Sequence, residues 1–216
     1  MSVESVSYKR SWLIGMLLGK AVSKLYVDKN SQKCKAKFIV TGNEEQSDFV
    51  AWKAQEARNL LRIRVDYNSS IDPLTFSLVS GRRIRVIHEW FYRDHHKVIT
   101  PKIRFMDHPI GLAMLLCDVG KVLKRKKYHR DGSVYCLKPS IVLMPHCSNM
   151  DGAILLMNHI KDLCGASSHL IQGRRYPQIS FNVESSKQLW FYVKDWIPQL
   201  ESLKIKFADT IECYGI

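Results

Sequence analysis

A chain of 216 residues with 46% hydrophobic content can bury one sizeable core or two small ones. Its 33 Lys and Arg outnumber 20 Asp and Glu, giving a formal net charge of +13. That excess points to a polyanionic partner, because neutralising phosphates releases counterions; the competing reading is a basic surface that only keeps the protein soluble. The six cysteines, Cys34, Cys117, Cys136, Cys147, Cys164 and Cys213, form no C-x-x-C pair, lack zinc-finger spacing to His, and are too sparse for a disulfide scaffold.

These thiols are expected to be reduced and mostly buried, in a cytoplasmic (nucleoid-associated) or organellar setting. Residues 1–8 are polar, so no secretory signal is expected there. The longest apolar run, 12–18, is too short to span a bilayer, so no membrane partner is expected.

In chain order, an apolar helix is expected over 11–19, strands over 21–27 and 35–41, and an amphipathic helix over 47–61. Strands over 62–68 and 74–79 follow, and a closing helix over 82–94. The order then repeats: helix 109–118, strands 121–128 and 135–144, helix 150–163, strands 168–172 and 178–183, helix 186–196. The closing segments echo each other directly. Phe76-Ser77-Leu78-Val79-Ser80 precedes a helix with Trp90-Phe91-Tyr92, and Ile179-Ser180-Phe181-Asn182-Val183 precedes one with Trp190-Phe191-Tyr192. The chain thus divides into a half over 1–94, a connector over 95–108 containing Pro101, and a half over 109–216.

The strands alternate as half-buried antiparallel strands do. In 62–68, Arg62, Arg64, Asp66 and Asn68 share one face and the apolar residues the other. In 35–38, Lys35 and Lys37 oppose Ala36 and Phe38. Several basic outer faces argue against an ordinary solvated sheet.

Each apolar helix carries a nine-residue motif, Leu13-Ile14-Gly15-Met16-Leu17-Leu18-Gly19-Lys20-Ala21 and Leu112-Ala113-Met114-Leu115-Leu116-Cys117-Asp118-Val119-Gly120. Small residues four apart let helices approach closely; Gly15 and Gly19 supply them in the first, Ala113 and Cys117 in the second. Both motifs, at their separation and with the elements that follow, resemble the signature of the LAGLIDADG homing endonucleases over roughly residues 11–207. His108-Pro109 resembles the lead into the second motif, where Pro starts the helix, and Ile141-Val142-Leu143 the return strand.

The resemblance implies an α+β fold of two pseudo-symmetric αββαββα repeats. Its motif helices would pair at a pseudo-twofold axis, and its antiparallel sheets would form a saddle over a DNA major groove. In active members an acid at the eighth motif position holds divalent metal at each scissile phosphate. Here Lys20 and Val119 occupy those positions. Magnesium requires oxygen ligands; Val119 offers none and Lys20 repels a dication. Asp118, one residue earlier, is placed to cap its helix or pair with Lys20, and as a lone ligand is poor. No catalytic residue, metal or cofactor is therefore expected, with Mg only if cleavage is retained. Lys20 instead stands where an ammonium would contact a backbone phosphate.

The densest basic run, 121–130, holds Lys121, Lys124, Arg125, Lys126, Lys127 and Arg130, with Lys138 on the return strand. On the matching strands of the first half Lys24, Tyr26, Lys35 and Lys37 share a face. Arg62, Arg64 and Asn68 correspond to Gln172, Arg174, Arg175 and Gln178. Arg, Gln and Asn can read purine edges, while Lys positions the phosphate backbone. Lys97 falls where the family places a basic residue near the cleavage centre, with Lys204 as its counterpart. His95-His96 lacks acidic partners at a fixed helical spacing, and residues 165–168 are too short for a phosphate loop.

The expected function is sequence-specific binding of double-stranded DNA by a monomer with internal pseudo-twofold symmetry, without cleavage, in a role such as transcriptional regulation. Three alternatives stay open: an intron maturase that binds structured RNA, a site-specific endonuclease or nickase, and a decayed relic with no specific partner.

Overall fold

The computed structural model describes residues 3–28, 32–62, 64–67, 74–80, 82–124, 126–128, 131, 133–147, 149–173 and 176–215. The first helix, α1 (Val3–Leu18), leads into the hairpin β1 (Val22–Val27) and β2 (Cys34–Thr41). Then come α2 (Ser47–Leu61), β3 (Arg64–Tyr67), β4 (Thr75–Ser80) and α3 (Arg82–Phe91). A short hairpin, β5 (Tyr92–Arg93) and β6 (His96–Lys97), and a 3-10 turn at Pro101–Phe105 lead to α4 (Pro109–Val119). The order then recurs. β7 (Gly120–Leu123), β8 (Lys126–Tyr128), β9 (Val134–Cys136) and β10 (Ser140–Leu143) precede α5 (Met150–Cys164), β11 (Ser168–Ile171), β12 (Gln178–Phe181) and α6 (Val183–Val193). A 3-10 turn at Lys194–Trp196 connects to α7 (Glu201–Tyr214).

Two four-stranded antiparallel sheets have the orders β1-β2-β4-β3 and β7-β10-β12-β11, the same arrangement used twice. Ala36, Phe38, Phe76 and Leu78 turn inward from the first, and Ile141, Leu143, Ile179 and Phe181 from the second. Both sets join one core with Trp12, Ile14, Met16 and Leu17 of α1 and Leu112, Leu115 and Leu116 of α4. Burying that apolar surface is the main stabilising term. Among the described residues, no helix is long and apolar enough to cross a membrane.

α4 is buried from Ile110 to Val119. It starts where its sequence says it should. Pro109 sits in the first turn, where its missing N–H costs nothing, and the His108 ring nitrogen Nδ1 accepts the Ile110 N–H at 3.2 Å. It packs along α1 with almost no separation. A Cβ added at Gly15 would fall 2.1 Å from the Gly111 carbonyl oxygen, and one at Gly19 would fall 2.4 Å from Asp118 Oδ2. Opposite these two glycines the nearest α4 atoms belong to Gly111 and Asp118. Ala113 and Cys117, the small residues expected on the α4 side, are fully buried.

Other boundaries also differ from the sequence expectation. α1 starts at Val3, and within the strand expected over 62–68 the described strand residues are Arg64–Tyr67. Arg62 instead ends α2 in the left-handed conformation, with φ 49°. The helix expected over 82–94 stops at Phe91, because Asp94 and His95 adopt positive φ (46° and 66°) and turn the chain into β5–β6. The strands expected over 121–128 and 135–144 are each interrupted. Gly120–Leu123 pairs with Ser140–Leu143, while Lys126–Tyr128 pairs with Val134–Cys136 in a separate ribbon. Pro139, which has no N–H for a ladder, lies at the break. α6 begins at Val183, and α7 is an added helix whose buried Leu203, Phe207, Thr210 and Tyr214 follow helical spacing. The thiols are less hidden than expected. Cys117 and Cys147 are buried and Cys164 partly so, but Cys34, Cys136 and Cys213 are exposed.

Candidate nucleic-acid interface and the foot of the paired helices

Strand register decides which side chains share the outer sheet faces. In the first sheet, Lys24 pairs with Lys37, Lys37 with Val79, and Val79 with Arg64, forming one row across all four strands. Tyr26 pairs with Lys35 beside it. Arg64 and Asp66 hold each other at 2.6 Å. In the second sheet the matching row is Lys121, Val142, Ser180 and His169. Gln178 pairs with Ile171 next to it, and Gln172 is exposed just past the strand end. Lys127 lies in the β8–β9 ribbon with its ammonium 5.9 Å from the Tyr135 ring centroid, and Lys138 is exposed between β9 and β10. Asn68, Arg125, Arg130, Arg174 and Arg175 lie outside the described residues.

Between the sheets, the C-terminal ends of α1 and α4 meet in a foot where four lysines from four different elements converge. Lys20, in the turn after α1, donates to Gln46 Oε1 at 2.6 Å. Lys53 of α2, only 2% exposed, forms an ion pair with Asp118, itself 4% exposed. The Lys53 ammonium also sits 4.1 Å from the Phe49 ring centroid. Lys97 of β6 donates to the carbonyls of Gly19 at 3.0 Å and Ala21 at 2.8 Å, closing the end of α1. Lys206 of α7 donates to the carbonyls of Cys117 at 2.5 Å and Leu116 at 3.4 Å, closing the end of α4. Cations at helix C-termini oppose the helix dipole favourably.

A cleft of about 560 Å³ opens here, lined by Lys20, Asp118, Val119, Met144, His146, Tyr176 and Gln178. Burial pushes Lys97 down to about 8, against the opposing pull of Asp118 and Cys147. Burial likewise pushes Lys206 down to about 8, despite Cys117 and Asp118, with Lys20 and Lys53 adding repulsion. Lys20 is lowered by burial, opposed by Asp118 and reinforced by Lys53. His146, stacked on Tyr176 with ring centroids 5.5 Å apart, is lowered by burial and by the positive charges of Lys97 and Lys20.

The model of the LAGLIDADG DNA endonuclease family matches residues 10–189. The chain belongs to that family. Solved LAGLIDADG structures share its fold. The homing endonuclease I-WcaI bound to its DNA recognition sequence superposes with a TM-score of 0.61 at 14% identity, covering 93% of this chain and 85% of that one. The meganuclease I-AabMI bound to uncleaved DNA gives 0.56 at 9% identity, over 95% and 92%. I-DmoI in complex with DNA and Mn gives 0.53 at 10%, over 90% and 99%. No curated protein matches the chain.

In this LAGLIDADG chain the eighth motif positions, Lys20 and Val119, both border the foot cleft. The donor set does not fit a divalent metal. Asp118 is the one carboxylate lining the cleft among the described residues. One of its oxygens is ion-paired to Lys53, and the other accepts the Lys20 backbone N–H at 3.4 Å. Hard cations need several free oxygen ligands, and a neighbouring ammonium cluster opposes them.

Two sequence expectations change here. Asp118 pairs with Lys53, and only the backbone of Lys20 reaches it. The lysine that mirrors Lys97 is Lys206; Lys204 is exposed and lines a separate depression with Trp190, Lys194 and Phe207. Sequence reasoning missed Lys53, Lys206, His146 and His169. Helical spacing over 201–214 and strand alternation at 168–171 were signals for Lys206 and His169. Nothing local marks Lys53, whose partner lies 65 residues away.

Proposed function

We propose that this chain binds double-stranded DNA sequence-specifically, as a single chain with two unlike halves, and does not cut it. One observation carries the reading: the two acid positions of the family hold Lys20 and Val119, and the acid beside them is locked to a buried lysine. The outer sheet rows support the binding half of the claim, since they present Lys24, Lys37, Arg64, Lys121 and His169 to one side of each sheet. Of the proteins that share the fold, I-WcaI is described as bound to its DNA recognition sequence and I-AabMI as bound to uncleaved DNA. Lysines on these rows position the phosphate backbone, while Arg64, Gln172 and Gln178 are suited to base edges. Grip without scission fits a transcriptional regulator.

Selection from a randomised duplex library tests the reading. A long, non-palindromic motif should be enriched, and the recovered duplex should stay intact with magnesium or manganese. Site-specific strand breaks would overturn the inactive reading. Intron RNA outcompeting the selected duplex would replace it with a maturase role.

A further inference from the structure

The four lysines of the foot are built into it, each with a defined partner. The ends of α1 and α4 each present carbonyl groups, equivalent to about half a negative charge per helix. Left alone, these ends repel a DNA backbone. A bound dication reverses that repulsion in a metal-dependent nuclease. Here the donor set excludes such an ion, yet the ends are not left bare.

We propose that four lysines replace the divalent cation as a covalently attached counter-charge, and that this seats the central backbone phosphates of a duplex with no metal. Lys53 is the fixed counter-ion of Asp118. Lys97 and Lys206 neutralise the two helix ends by donating to Gly19, Ala21, Cys117 and Leu116. Lys20 faces the cleft with one of its three N–H groups on Gln46, leaving two for a phosphate oxygen. Four ammonium groups against one carboxylate leave three formal positive charges, and the two helix ends remove about one. The remaining charge is close to that of a single divalent ion. Lys20, Lys53, Lys97 and Lys206 reach the foot from the turn after α1, α2, β6 and α7, so no single helical or strand periodicity produces the cluster.

The proposal rests on the DNA-binding reading, and its test separates the two. Binding of the library-selected duplex, fluorescently labelled, is measured by anisotropy in EDTA and in magnesium at matched ionic strength. Equal affinity in both is expected, and a strict requirement for magnesium overturns the proposal. Lys20→Gln should weaken binding across sequences and reduce the slope of log affinity against log salt by about 1; an unchanged slope with intact binding overturns the clamp while leaving DNA binding standing. Lys97→Met and Lys206→Met should act in the same direction, with thermal melts confirming folding and Lys97→Arg retaining affinity. Manganese relaxation on the DNA-free protein supplies an independent reading. No bound ion is expected, and a stoichiometric one overturns the replacement. If the wild-type chain binds no duplex at all, both readings fall together.

Discussion

Lys53 is the side chain on which the foot depends most directly. A lysine with 2% exposure is tolerated only because Asp118 meets its charge and the Phe49 ring covers it. Lys53→Ala strands a buried carboxylate and should lower the unfolding free energy by about 3–5 kcal/mol, measured by urea denaturation. The double change Lys53→Met with Asp118→Leu removes both charges and should recover most of that loss. The buried lysines also give stability a pH signature. Lys97 and Lys206, pushed down to about 8 from 10.5, hold fewer protons in the folded chain than in the unfolded one across that interval. Their contribution to stability therefore rises with pH through 8 to 10.5. From about 9 the buried thiols Cys117 and Cys147, raised to about 12 and about 11, act in the opposite sense. Unfolding free energy measured between pH 8 and 9 should climb less steeply in Lys206→Met than in the wild type.

Among the elements, the α1–α4 pair sets the distance between the halves. Gly15→Ala places a methyl carbon within 2.1 Å of the Gly111 carbonyl, a backbone atom that cannot swing aside. Overpacking of this kind costs about 1–3 kcal/mol, so the melting temperature should fall; Gly165→Ala, with no atoms within 4 Å but φ 74°, would be strained for a backbone reason alone. Both apolar helices and most strands were legible because each has a local period. Their faces were legible too, since alternation put Lys24, Tyr26, Lys35 and Lys37 on one face and the pairing keeps them there. Breaks in that pattern were not. The hairpin at Asp94–His95 and the ribbon of β8 and β9 depend on local backbone geometry and on Pro139, which a run of strand-forming residues conceals. α7 shows how tertiary contact recruits an element: Ser202 donates its N–H to Asp48 Oδ2 at 3.0 Å, tying α7 to α2 across 154 residues and delivering Lys206 to the foot.

Across the molecule, two copies of one sheet order have diverged in what they present. The first row is Lys24, Lys37, Val79 and Arg64; the second is Lys121, Val142, Ser180 and His169, with Val142 and Ser180 buried. On the proposed DNA-binding reading, unlike faces require unlike half-sites. Lys37→Ala should weaken binding evenly over a panel of duplexes, whereas Arg64→Ala should relax preference in one half-site only, as read by repeating the selection with each variant.

The sequence by itself determined the family, the doubled αββαββα order and the basic outer faces, because all of these are written in local periodicity and residue identity. Only the tertiary structure decided that Asp118 belongs to Lys53, that Lys206 rather than Lys204 mirrors Lys97, and that Gly111 meets Gly15. Those contacts join residues 65 to 96 positions apart. At such separations the choice of partner is made by how helices and sheets pack and by the need to neutralise every charge removed from water.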